Sequence, residues 1–252
     1  MVMFHRLTLL PYLIKHTPKN ALPEISGANG PLKVYAFDLD HTIIKPKTAG
    51  SRFSTSADDW DFMNFSPGRS ALDKLLSIVI EDATAQVVIF SNQGGVITVP
   101  SNSKSCTKYV EKIRLILKAI SLEKDGNRLL ERLWIYSSPK KPASFTRKQN
   151  KSSLLTKPMK VVKTLKKLNK PAPKLEEPML MDPEIFTKMR KPETGMMQEF
   201  KKDLESIYPT VISIEVCHYC GDAAGRKQDF SDSDKQFAKN LDVPFKLPED
   251  VF

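Results

Sequence analysis

Short apolar runs at residues 34–37, 87–90, 133–136 and 211–216, separated by stretches of helical periodicity, constrain this chain more than any other feature. Parallel strands cannot be joined without a long crossover, usually a helix, so the alternation predicts an α/β fold of three layers around a central parallel sheet. Ala71, Leu72, Leu75, Leu76 and Val79 form the apolar stripe of one crossover helix, with Ser66 and Pro67 read as its cap and first residue. Tyr109, Ile113, Ile116, Leu117 and Ile120 mark a second. Met196, Met197, Phe200, Leu204 and Ile207 mark a third that opens at Pro192, and residues 232–241 read as a last helix capped by Asp232. At 252 residues and 40% hydrophobic content the chain has enough apolar material to bury such a core.

Two segments stand outside this pattern. Residues 1–30 carry few charges and begin with Phe4, Arg6, Leu7, Leu9 and Leu10, a mixture that overlaps with transit peptides. Pro11 and the scarcity of arginine and serine favour a partly ordered N-terminal arm leading into a domain at residues 31–252. Within that domain residues 139–185 read as a basic insertion, because no acidic side chain occurs between Glu131 and Glu176 while lysines accumulate. The formal charge of +10 comes largely from this stretch. Such a field concentrates polyanions, so nucleic acid becomes a candidate partner, with Lys163, Lys166 and Lys167 as candidate contacts. The alternative for the same lysines is a solvated loop that touches nothing.

No apolar run approaches the roughly 18 residues that cross a bilayer, so no membrane is expected. Three cysteines are too few for a secreted disulfide scaffold, which points to an intracellular chain. Residues 217–220 (CHYC) lack a second pair of ligands for zinc. None of the ten glycines forms the G-x-x-x-x-G-K-[ST] loop of a nucleotide kinase.

In open parallel sheets ligands bind beyond the carboxyl ends of the strands. The residues there are polar: Asp38, Asp40 and Thr42 after the first run, Ser91 and Asn92 after the second, Asp222 after the fourth, and Lys191 before the third helix. Carboxylates two apart at a strand tip repel each other unless a cation or a shared proton intervenes. A hard divalent ion, Mg²⁺, bound by Asp38, Asp40 and Asp222 is the expected answer.

The string FDLDHT (residues 37–42), followed in order by Ser91, Lys191 and Gly221-Asp222, resembles the four motifs of the haloacid dehalogenase superfamily of phosphohydrolases. FSNQGG (90–95), RKPETGM (190–196) and CGDAAGR (220–226) resemble the phosphatase half of the polynucleotide kinase 3′-phosphatases, from about residue 34 to the C-terminus. The resemblance implies a Rossmann-like haloacid dehalogenase fold with no large cap domain. It implies that Asp38 is the nucleophile forming an aspartyl phosphate, and that Asp40 is acid then base and a metal ligand through its carbonyl oxygen. Thr42, Ser91 and Lys191 would bind the transferring phosphoryl group. Asn92 and Arg226 are candidate substrate contacts, although Arg226 could instead only cap its loop, and Asp229 could orient a metal-bound water. Trp60, Phe62 and Phe65 could stack on an end base or pack in the core.

The expected activity is therefore Mg²⁺-dependent removal of 3′-phosphate from DNA ends at nicks, gaps and double-strand breaks, without kinase activity, by a nuclear monomer. One rival keeps the catalytic centre but assigns a small phosphorylated metabolite. A second is an inert nucleic-acid-binding module, against which the full acidic and basic motif set argues.

Overall fold

A computed structural model describes residues 4–26, 30–66, 68–146, 182–210 and 213–252. The chain opens with β1 (His5–Leu10), β2 (Leu13–Pro18) and α1 (Pro23–Ser26), then enters the sheet interior as β3 (Leu32–Phe37). Two small ribbons follow, β4 (Ile44–Lys45) with β5 (Asp61–Phe62) and β6 (Asn64–Ser66) with β7 (Arg69–Ser70). Next come α2 (Ala71–Glu81), β8 (Gln86–Gln93), α3 (Lys104–Leu122), α4 (Gly126–Leu130) and β9 (Leu133–Pro139). The short helices α5 (Ala143–Thr146) and α6 (Ile185–Lys188) precede α7 (Gly195–Ile207), β10 (Ile214–Cys220), α8 (Ser233–Leu241), β11 (Phe245–Lys246) and α9 (Pro248–Val251).

Seven strands form one sheet in the order β1-β2-β9-β8-β3-β10-β11. From β9 to β11 all pairings are parallel, which makes the sheet Rossmann-like as expected. Alternate residues of each strand face opposite layers. Val87, Ile89, Leu133 and Ile135 pack under α2, α3 and α4, while Val88, Phe90, Trp134 and Tyr136 pack under α7 and α8. Phe200 of α7 meets Phe90, Trp134 and Tyr136 edge-on at 5.4–6.5 Å between ring centroids. Burying each such ring is worth roughly 1.5–3 kcal/mol. The chain leaves β3 toward β8 on one side and returns as β10 on the other, so the order reverses between β3 and β10. That reversal opens a crevice at the strand tips.

The structure corrects several sequence expectations. Residues 5–18 are not a loose arm: β1 and β2 form an antiparallel hairpin turned at Pro11 and Tyr12, and β2 pairs antiparallel with β9. Pro11 serves as a turn residue there rather than as a helix breaker. Helix α2 begins not at Ser66 but after Ser70, whose hydroxyl accepts from the Asp73 amide while Asp73 reaches back to the Ser70 amide. Ser66 ends β6, and Pro67 lies outside the described residues. Helix α7 starts at Gly195, three residues past Pro192. The fourth apolar run is offset: β10 spans Ile214–Cys220, so it includes Cys217, His218 and Cys220, and residues 211–212 lie outside the described residues.

Within the basic insertion, β9 extends through Pro139, and Phe145 packs on Phe186 at 5.2 Å, so both ends of the insertion meet. Residues 147–181, with Lys163, Lys166 and Lys167, lie outside the described residues. Trp60 and Phe62 pack against the core, and Phe65 stacks on Phe252 at 5.5 Å, which settles those aromatics as packing. Among the described residues no helix is long and apolar enough to cross a membrane.

Candidate active site

The site begins where β3 and β10 end side by side. The Asp38 amide donates to the Cys220 carbonyl at 2.8 Å, so the ladder continues one residue past β3 and brings Asp38 beside Gly221 and Asp222. His41 then adopts a left-handed conformation at φ 62°, and its amide donates to Ile44 O at 2.7 Å. This tight reversal returns the chain so that Asp40 faces the same pocket as Asp38.

Lys191 arrives from the turn before α7. The Asn92 side chain grips its backbone in both directions, donating to Lys191 O and accepting from Lys191 N, each at 3.0 Å. The buried ammonium donates to Asp38 Oδ1 at 2.6 Å, Asp234 Oδ1 at 2.8 Å and the Tyr219 hydroxyl at 2.8 Å. Asp234, in the first turn of α8, also accepts from the Tyr219 hydroxyl and from the Ala223 amide. Its approach depends on Gly221, because a Cβ there would lie 2.5 Å from the Asp234 carboxyl.

Asp38, Asp222 and Asp234 each offer an oxygen within 4.8 Å of the others. Burial is the main force that lifts the Asp38 carboxyl above the usual range, helped by Asp234 and Asp222 and opposed by Lys191. Asp222 is pushed up to about 6, first by burial and then by Asp234, with His41 and Lys191 opposing. Burial disfavours the Lys191 ammonium, yet Asp234 and Asp38 hold its pKa above the ordinary value. Three crowded carboxylates with one ammonium are short of positive charge, which fits a divalent cation held by oxygens.

Asp40 stands to one side. Its carboxylate accepts from Lys112 Nζ at 2.8 Å and from Gln93 Nε2 at 2.7 Å, and the same Gln93 amide donates to Ser91 Oγ at 2.8 Å. Asp38, Asp40, Ser91, Lys191, Asp222 and Asp234 line one pocket of about 150 Å³. Phe53 and Phe230 at its wall are 70% and 74% exposed, and the Arg52 guanidinium lies 4.4 Å from the Phe230 ring centre.

Of the sequence-predicted residues, the structure brings Asp38, Asp40, Ser91, Lys191 and Asp222 together and treats the others differently. The Thr42 hydroxyl is fully buried without a partner among the described residues, and Thr42 does not line the pocket. Asn92 lines the pocket but spends its amide positioning Lys191. Arg226 caps its loop: the guanidinium takes Asp229 at 3.0 Å, Glu249 at 2.6 Å and the Asp222 carbonyl, and it does not face the pocket. Asp229 accepts from the Ala224 and Arg226 amides of the same loop and does not line the pocket. Asp40 does not join the three clustered carboxylates, so any hold it has on an ion falls to its carbonyl oxygen.

Asp234 and Arg190, which line the pocket, and Lys112 and Gln93, which hold Asp40, are not singled out by the sequence pattern. Asp234 sits in a polar run, residues 231–234, that reads as a helix start. Lys112 carried a usable signal, since it lies three residues after Tyr109 on the buried face of α3, where a lysine is costly unless paired.

A family model described as polynucleotide kinase 3 phosphatase matches residues 33–252. The chain is 51% identical over 255 residues to the polynucleotide 3′-phosphatase of Saccharomyces cerevisiae, covering 99% of each, and 50% identical over 254 residues to that of Saccharomyces mikatae, covering 98% of this chain and 96% of the relative. It is 29% identical to the bifunctional polynucleotide phosphatase/kinase of Schizosaccharomyces pombe over 87% of this chain and 37% of that protein. A family match that runs from residue 33, in β3, through residue 252, with full-length relatives at about half identity, places the chain in the polynucleotide kinase 3 phosphatase family.

Proposed function

We propose that this protein is a polynucleotide 3′-phosphatase that hydrolyses the 3′-phosphate of DNA ends. The observation that carries the reading is the meeting of Asp38, Asp222 and Asp234 around the Lys191 ammonium, next to an independently held Asp40. Phosphoryl transfer asks a protein mainly for alignment and charge neutralisation, and this pocket is built for both.

Asp38 is the nucleophile. An Asp38 oxygen bonds to phosphorus while the bond to the 3′-oxygen of the sugar breaks, and Asp40 supplies the proton that the leaving oxygen takes. Asp40 then removes a proton from water, whose oxygen attacks the aspartyl phosphate and frees inorganic phosphate with Asp38 regenerated. The Ser91 hydroxyl offers a donor to the phosphoryl oxygens, and the Lys191 ammonium would turn one of its three donors from its present partners to them. Asp38, Asp222 and Asp234 would hold Mg²⁺, Asp234 acting directly or by orienting bound water, and the ion supplies Lewis-acid and template chemistry. The exposed rings of Phe53 and Phe230 offer stacking surfaces for bases at the pocket mouth.

This reading places the protein in the nucleus, as a monomer, acting at nicks, gaps and double-strand breaks. The test is phosphate release from oligonucleotides carrying a 3′- or a 5′-phosphate, with and without EDTA. Release from the 3′ end alone, lost with EDTA, is expected. Equal release from 5′ ends or small phosphomonoesters would favour a metabolite phosphatase.

A further inference from the structure

One cationic side chain beside the pocket, Arg190, lies against Gly94 and has no partner among the described residues. Arg190 is half-buried, and among the described residues its guanidinium makes no hydrogen bond and no ion pair. It lies against Gly94, where an added Cβ would stand 3.2 Å from Arg190 Nη2. A partly desolvated guanidinium with no anion is unfavourable, and its planar fork matches phosphate oxygens.

Arg190 and Lys191 are shared walls of two clefts. One is the catalytic pocket, and the other is a cleft of about 410 Å³ that continues past Gly94 to Lys140 and Lys141. A second exit runs under Asp40 toward α3, but its cations are already engaged. Lys112 is bound to Asp40, and Lys108 donates to the Ser54 and Thr55 carbonyls. On the Arg190 side the described lining holds Arg190, Lys140 and Lys141 beside Lys191, with Glu193 as its one acidic residue. Among the described residues the unpaired cations that line an exit therefore lie on the Arg190 side, while Arg52 at the pocket wall lies over the Phe230 ring.

We infer that Arg190 holds the phosphodiester next to the 3′-terminal nucleotide, and that the strand leaves the pocket over Gly94 along Lys140 and Lys141. The inference rests on the proposed polynucleotide 3′-phosphatase reading and deepens it. It names the substrate element that would separate a polynucleotide end from a mononucleotide.

Nested substrates test it: thymidine 3′-monophosphate, which lacks a phosphodiester, and the 3′-phosphorylated dinucleotide, which has one. In the wild-type protein kcat/KM is expected to rise about 10–100-fold from the first to the second, as one charge-assisted contact allows. In Arg190→Ala that ratio collapses toward one, chiefly through KM, and Arg190→Lys restores part of it. A wild-type ratio near one, or an undiminished ratio in Arg190→Ala, overturns the assignment.

A second variant, Lys140→Ala with Lys141→Ala, keeps the route testable should Arg190→Ala fold poorly. The salt dependence of oligonucleotide KM becomes shallower by about 1.4 in log–log slope for two lost single-strand phosphate contacts. An unchanged slope overturns the route. If the wild-type protein releases no phosphate from any 3′-phosphorylated substrate, the function itself fails, and that outcome is distinct from a lost ratio.

Discussion

Gly221 and Asp234 share a space that admits only one side chain: a Cβ on Gly221 would lie 2.5 Å from the Asp234 carboxyl. Gly221→Ala must push Asp234 away from Asp38 and Asp222. Mg²⁺ affinity is expected to fall about 10–100-fold, as when a partner of a metal site is displaced, and titration calorimetry reads it. An unchanged affinity would remove Asp234 from the ion.

Asp222 sets a pH dependence with a definite sign. Its pKa is raised from an ordinary 3.8 to about 6, so the metal-free fold favours the protonated form. That contribution is fully present below about pH 4 and is lost as pH rises through about 6. Mg²⁺ requires the ionised carboxylate. The rise in melting temperature on adding Mg²⁺ should therefore be larger at pH 7 than at pH 5, and an equal rise at both would contradict the placement of Asp222.

Lys112 holds Asp40 from α3 at 2.8 Å. Lys112→Met should leave the pocket intact but free the Asp40 carboxylate to swing. Steady-state assays are expected to show kcat down on the order of 10²-fold, the usual penalty for an ångström of misplacement, with KM little changed. A change confined to KM would make Lys112 a substrate contact instead.

Among the described residues Lys191 is the ammonium that pairs with the carboxylate cluster, through Asp38 and Asp234. Lys191→Met leaves them uncompensated, at a cost of about 3–5 kcal/mol, as for other broken buried pairs. Denaturant unfolding without metal measures this, and Mg²⁺ should recover part of the loss. Stability equal to the wild type would mean that the carboxylates are not crowded as described.

What the sequence made legible follows a physical rule. Asp38 and Asp222 could be found because strand tips follow apolar runs, and the Rossmann-like sheet could be found because its buried strands are nearly continuous in Val, Ile, Phe and Leu. Asp234 could not, since its role depends on Gly221 across a turn, a proximity only the tertiary fold creates. The β1–β2 hairpin was hidden for a related reason. His5 and His16 are buried polar residues, and they break the apolar alternation that would have marked strands. Strand β10 was offset because its first half is only half-buried while Tyr219 and Cys220 carry the core contacts.

Identifying the atom that carries phosphate tests the central claim most directly. A reaction with a 3′-phosphorylated oligonucleotide is quenched during turnover, reduced with borohydride and read by peptide mass spectrometry. Reduction of the Asp38 carboxyl to an alcohol, absent without substrate, is the expected result. Reduction at Asp40 or Asp222, or an unmodified Asp38 in a protein that is turning over, would contradict the account.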